Sequence, residues 1–171
     1  MTVRDPREVY DDLIVDRVER DADAEEFAAL YANEAFRAGW VAGGIVLDDD
    51  DRVLLAYHGH DEAWLAPGGT LAPGESLRDT LIREVREETG VEIHPGRPHA
   101  LVESVVHHDD DYLRFRYVLF CARAIDPETG ENLGEPDEPI EDAQWFEELP
   151  DNVYGQELTA KVLKRCQEGI D

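Results

Sequence analysis

The chain has 171 residues, enough for one domain with a buried core and too few for two full ones. Hydrophobic residues make up 42% of it, which excludes a disordered chain despite 33% charged residues. There are 41 acidic residues against 16 lysines and arginines, a formal net charge of −25, so the chain lacks the basic stripe that duplex nucleic acid requires. The carboxylates run along the whole length, which argues against an acidic tail. No segment localises a basic partner. The favoured reading is a halophile's cytoplasm, because screening over about 3 Å at molar salt makes a carboxylate-covered surface tolerable.

Met1 to Val9 forms no apolar signal region, no long apolar run occurs, and no basic amphipathic helix is present. The expectation is a cytoplasmic protein with no membrane role. Cys121 and Cys166 lie far apart in sequence and fit no C-x-x-C pattern. They read as two separate small core or helix-face residues rather than a disulfide.

In chain order, residues 1–38 form an N-terminal extension, partly helical. Asp23 and Glu26 resemble a capping box, and Phe27, Leu30 and Tyr31 recur at helical spacing, so a helix is predicted over about 24–37. Residues 9–19 mix apolar and acidic residues and suit helix or strand. The extension either covers one side of the core or makes a homodimer contact. Residues 39–171 form the main domain, including a C-terminal helix.

Val41 to Leu47 and Val53 to Tyr57 read as a hairpin around the turn Asp48 to Asp51. Those four aspartates lack EF-hand spacing and its closing Glu, so the turn is expected to be solvated. Ala100 to His107 and Leu113 to Ala124 form a second hairpin. Asp126 to Glu138 is a polar loop, Gln144 to Phe146 a short strand, and Gln156 to Gln167 the terminal helix. The class is α/β with a mixed sheet and helices on its faces.

The chemistry is concentrated in GGTLAPGESLRDTLIREVREETGV, from Gly68 to Val91. Gly68 and Gly69 allow a close backbone approach. Ser76 caps a helix with Asp79 in the reciprocal position, and Gly90 ends it. Leu81, Ile82, Val85 and Thr89 share a core-facing stripe, while Glu84, Glu87 and Glu88 share an adjacent arc about 100° wide. Like charges at Glu84 and Glu88 destabilise a helix by roughly 0.2–0.5 kcal/mol. A hard divalent cation removes that conflict, and Mg²⁺ or Mn²⁺ prefers such oxygens. Arg83, four residues before Glu87, can orient it. In so acidic a chain a solvated helix face competes with this reading; Gly69, Glu75, Arg83 and Gly90 at fixed offsets favour the metal site.

These residues resemble the Nudix box, G-x5-E-x7-R-E-U-x-E-E-x-G-U with U aliphatic. Gly69, Glu75, Arg83, Glu84, Val85, Glu87, Glu88, Gly90 and Val91 match every fixed position. The resemblance implies an α/β/α sandwich around a mixed β-sheet, and hydrolysis of a nucleoside diphosphate linked to another moiety. It implies that Glu84, Glu87 and Glu88 serve as metal ligands or base, with a carbonyl of Gly68 or Gly69 joining them. Arg83 would orient a glutamate, Glu75 would have a lesser electrostatic role, and the catalytic set would be Glu84, Arg83 and Glu87. The base is either a box glutamate, Glu84 first, or a later-loop acid, Glu138 or Glu141.

Outside the box, Arg114 and Arg116 alternate on one strand; pairing with neighbouring acids is the favoured role, and a bidentate grip on phosphate the other. Trp64 stacks on a base or packs in the core. His58 and His60, at a hairpin end, are expected to be solvated, and adjacent His107 and His108 point to opposite faces. ADP-ribose or a related nucleotide-sugar is the first expected substrate, a nucleoside triphosphate the second. The competing function is a catalytically silent nucleotide-binding module of the same fold.

Overall fold

The structure, a computed structural model, describes residues 3–136 and 138–169. A 3-10 turn at Pro6–Glu8 precedes β1 (Ile14–Asp21), α1 (Ala24–Leu30) and α2 (Glu34–Ala38). Then come β2 (Trp40–Leu47), β3 (Val53–His58), β4 (Ala63–Leu65), β5 (Gly68–Thr70) and α3 (Leu77–Thr89). The hairpin β6 (Ile93–His108) and β7 (Asp111–Ala124) follows, then the short β8 (Gly134–Glu135) and β9 (Glu138–Pro139), β10 (Asp142–Phe146) and α4 (Gln156–Gln167). The mixed α/β class expected from the sequence is the one found.

The ambiguous segment 9–19 contains the start of a strand, β1, and the single helix expected over 24–37 is two. Asp23 caps α1 by accepting from Glu26 N–H, and Asn33 caps a fresh helix by accepting from Ala35 and Phe36 N–H. Gly39, with φ +82°, ends α2 in the left-handed region. An internal Asn with good cap geometry therefore interrupts what periodicity alone reads as continuous.

The main sheet runs β1-β6-β7-β2-β3-β10. β1 pairs β6 in parallel and β7 pairs β2 in parallel, whereas β6–β7, β2–β3 and β3–β10 are antiparallel. β2 and β3 share one register pair, Leu47 with Val53, and then diverge. β5 pairs the freed part of β2, and β4 pairs the freed part of β3. The link between them, Ala66–Pro67, crosses the gap, with Gly44 N–H donating to the Pro67 carbonyl at 3.0 Å.

The sheet is buried on both faces, so β2 is apolar throughout rather than alternating. On one face, Leu77, Leu81 and Val85 of α3 pack with Ala42, Val46, Leu54, Leu101, Val118 and Phe120. On the other, Val162 and Leu163 of α4 pack with Ile45, Leu47, Leu55, Ala100 and Leu119. α1 and α2 lie against the hairpin β6–β7. No helix among the described residues is long and apolar enough to cross a membrane.

Two expectations are corrected here. Cys121 and Cys166 are joined by a disulfide, with Cα atoms 5.7 Å apart. Their 45-residue separation hides that β7 and α4 stack on one face of the sheet. Asp48 is not a solvated turn residue either. It is buried, and its carboxylate accepts from Asp50 and Arg52 N–H and from the Arg52 side chain at 2.7 Å.

Candidate functional site

The α3 helix begins with a complete capping box. Ser76 accepts from Asp79 N–H while Asp79 accepts from Ser76 N–H. It ends at Gly90 in the left-handed region, φ +78°. Between these caps its inner face carries Leu77, Leu81, Val85 and Thr89, and also Glu88, whose side chain is only 7% exposed. Glu88 is therefore more inward than a place in a surface acidic arc suggests. Its carboxylate accepts from Gly68 N–H at 2.8 Å and lies 3.4 Å from His58 Nε2.

Arg83 is the hub. Its Nε and one terminal nitrogen reach both oxygens of Glu75, at 2.7 and 3.1 Å. The other terminal nitrogen donates to Glu84 at 2.7 Å and to Glu87 at 3.3 Å. A further bond goes to the Thr70 carbonyl at 3.1 Å. Glu75 also accepts from the Thr80 hydroxyl and Ala72 N–H. The sequence suggested that Arg83 orients Glu87; the tighter partners are Glu75 and Glu84.

Contact and burial push two carboxyls in opposite directions. The Arg83 guanidinium holds the Glu75 carboxyl at about 2. Burial pushes Glu84 up to about 7, against the Arg83 contact and with the neighbouring charges of Glu88 and Glu87 adding to the rise. Glu84 thus stays high because burial outweighs its direct bond to Arg83.

The glycines set the approach. A Cβ on Gly69 would lie 2.5 Å from both carboxylate oxygens of Glu84, and one on Gly68 would lie 2.5 Å from the Gly43 Cα. Each position accepts only hydrogen, one for the carboxylate and one for the neighbouring strand.

The donor set of Glu84, Glu87 and Glu88, all hard carboxylate oxygens, suits Mg²⁺ or Mn²⁺. Among the described residues no group of three or more His, Cys, Asp or Glu is arranged around one ion position. Their carboxylates are turned instead to Arg83 and to Gly68 N–H, so coordination requires side-chain rotation.

The outlying candidates divide. Arg116 is engaged with buried Glu103 at 3.2 Å and stacks over Trp40 at 5.0 Å. Arg114 shares its face and is exposed. Trp64 packs edge-on against Phe146 and beside Tyr57, within the core on the α4 side. Glu141 lies against Gly59, one residue beyond His58. The side chain of Glu138 lies outside the described residues. His58 is the site neighbour that sequence reasoning placed in solvent; its side chain is 14% exposed. The signal for it is strand alternation, since Leu54, Ala56 and His58 share a face.

Comparison with known proteins agrees with this geometry. The NUDIX domain model matches residues 38–155. The uncharacterized Nudix hydrolase YvcI of Bacillus subtilis (strain 168) is 39% identical over 93 residues, 54% of this chain and 58% of that protein. The putative ADP-ribose pyrophosphatase YjhB of the same organism is 30% identical over 82 residues, 48% of this chain and 39% of that protein. The match thus spans 58% and 39% of these two relatives' length. A NUDIX-family hydrolase from Clostridium perfringens has the same fold, with TM-score 0.59 at 17% identity, covering 75% of this chain and 98% of that one. Box, fold and family match coincide, and the chain belongs to the NUDIX domain family.

Proposed function

We propose that the protein is a divalent-metal-dependent pyrophosphohydrolase that cleaves a nucleoside diphosphate linked to another moiety, with ADP-ribose or a related nucleotide-sugar as first substrate and nucleoside triphosphates second. The observation that carries this is the Arg83 hub: one guanidinium holds Glu75, Glu84 and Glu87 together, with Glu84 half-buried beside Glu88. YjhB, described as a putative ADP-ribose pyrophosphatase, supports the substrate class.

Glu84, Glu87 and Glu88, with the Gly69 carbonyl, would hold Mg²⁺ or Mn²⁺. When bound, the cation offsets the charge of the pyrophosphate and acidifies water. Glu84, near neutrality, is placed to accept the proton of the attacking water. Arg83 keeps Glu84 and Glu87 oriented, and Glu75 fixes Arg83. Gly68 N–H holds Glu88 in place. Exposed Arg114 is the remaining substrate contact we assign; Trp64 packs in the core on the α4 side, and Arg116 supports the Arg114 strand through Glu103. Glu141 and Glu138 are secondary candidates for the base. The all-round acidity fits a high-salt cytoplasm, where the global field no longer repels an anionic substrate.

The test is incubation with Mg²⁺ or Mn²⁺ and a nucleotide panel in molar KCl, following AMP or pyrophosphate release. Turnover that drops at least a hundredfold in Glu87→Gln is expected. No turnover of any substrate, with nucleotide binding retained, would leave the silent binding module.

A further inference from the structure

The main sheet ends at β1 with an open edge. β1 is the terminal strand of that sheet among the described residues, with β6 on one side. Its neighbours cover faces, not the edge: α1 and α2 lie against the hairpin, and the Pro6–Glu8 turn lies against β6. Side chains along it are open to solvent, with Val15 at 52% and Val18 at 53%. An edge of this length is normally guarded by charged side chains, a bulge, a Pro or an inward charge. β1, IVDRVERD, has no Pro and keeps an unbroken register with β6; its guard is its charged residues, which oppose pairing only in registers that bring like signs together.

Backbone alternation limits how a second β1 could add. Ala22 N–H donates to the His107 carbonyl, so even-numbered residues direct their backbone groups towards β6. Val15, Arg17, Glu19 and Asp21 then direct theirs outward. An antiparallel pair exchanges hydrogen bonds between two outward-directed residues, so in a twofold dimer the residue numbers of each opposed pair sum to an even number. Centring on residue 17 opposes two arginines; centring on residue 19 opposes two glutamates.

Centring on Val18 is different. Arg17 then faces Glu19 of the second copy, and Glu19 faces its Arg17. On the opposite face Asp16 meets Arg20, twice by symmetry, and the two Val18 side chains meet on the axis. Four opposite-charge pairs surround one apolar contact, with like charges directly opposed nowhere in the strand. Arg17 touches Glu19 of its own strand and Glu103 of β6, and Arg20 reaches Glu26 of α1; the Arg17 and Arg20 side chains remain about half exposed. In a chain of net charge −25, this strand is close to neutral and self-complementary.

We propose that the protein forms a twofold dimer by antiparallel pairing of β1 with β1 of a second copy, in the register that places Val18 on the axis. The sheets of the two copies then run together across the interface, and the α3 sites lie away from it.

The test uses the full chain in molar KCl, by size-exclusion chromatography with light scattering. Wild type is expected at twice the 19.3 kDa chain mass. Arg17→Glu opposes two acids to Glu19, and Glu19→Arg opposes two arginines to Arg17, so each alone is expected as a monomer. Mixed in equal amounts they restore all opposite-charge pairs, and a dimer returns; the double variant also dimerises alone. Val18→Lys, at an exposed position, sets two ammonium groups on the axis and is expected monomeric with unchanged circular dichroism. A monomeric wild type overturns the proposal. Single variants that stay dimeric, or a mixture that stays monomeric while both singles keep wild-type circular dichroism, overturn the register. If either charge variant loses its fold, Val18→Lys decides: a dimer there overturns the proposal.

Discussion

Arg83 grips Glu75 with two nitrogens, at 2.7 and 3.1 Å, across eight residues of chain. That contact ties the loop before α3 to its middle turn and holds the Glu75 carboxyl at about 2. A carboxyl with a lowered folded-state value contributes stability above its unfolded value near 4.5, and loses it as pH falls towards 2. Glu75→Gln is expected to lower stability at pH 7 by about 1 kcal/mol, the modest figure reflecting solvent screening. Denaturant midpoints measured from pH 7 to pH 3 should show wild type and variant converging; a constant gap would remove the ionic account.

Glu84 gives the opposite sign. Its raised value means that ionisation opposes folding, so stability present below pH 4.5 is lost as pH rises through about 7. Glu84→Gln should match wild type near pH 4.5 and exceed it at pH 8, by on the order of 2 kcal/mol or less. Mg²⁺ should raise the melting temperature of wild type more at pH 8 than at pH 6, and hardly affect the variant. Equal Mg²⁺ shifts in both proteins would count against Glu84 as a ligand.

The two glycines of the turn should fail in different ways. In Gly69→Ala the new methyl meets the Glu84 carboxylate, a movable side chain, so turnover falls at least tenfold while the melting temperature changes little. In Gly68→Ala it meets the backbone of Ala42 and Gly43, so stability falls by a few kcal/mol. Thermal denaturation alongside single-substrate kinetics separates the two; equal loss of stability in both would refute the distinction.

The Cys121–Cys166 bridge closes a loop spanning 45 residues. Loop-closure entropy gives it about 4 kcal/mol at most. The paired Cys121→Ser and Cys166→Ser variant, or wild type under reductant, should show a lower denaturant midpoint with α4 loosened first, as hydrogen exchange would report. No change under reductant would mean that packing of Val162 and Leu163 alone fixes the helix.

Much of this site was legible because its parts are local in sequence. Ser76, Asp79 and Gly90 announce the helix ends by their own chemistry, and the offsets of Gly69, Glu75 and Arg83 frame the acids. Contacts that depend on strand order were not legible. His58 comes to Glu88 because β3 lies beside the α3 face, and Cys121 meets Cys166 because β7 and α4 share the other. That Arg116 pairs with an acid was expected; that the acid is Glu103 depended on β6 lying beside β7. The split of α1 from α2 was missed for a different reason, since hydrophobic period gives no weight to a single capping Asn.

The parting of β2 from β3 gives the main sheet two leaves that share a spine only at Leu47 and Val53. Gly68 and Gly69 belong to one leaf and His58 to the other, while Glu88 on α3 touches both. Among the described residues no ladder of hydrogen bonds spans those leaves beyond the spine. The core, the Ala66–Pro67 crossing and one buried glutamate bridge them, so Glu88 acts as a clasp of an open book whose pages carry the two sides of the site.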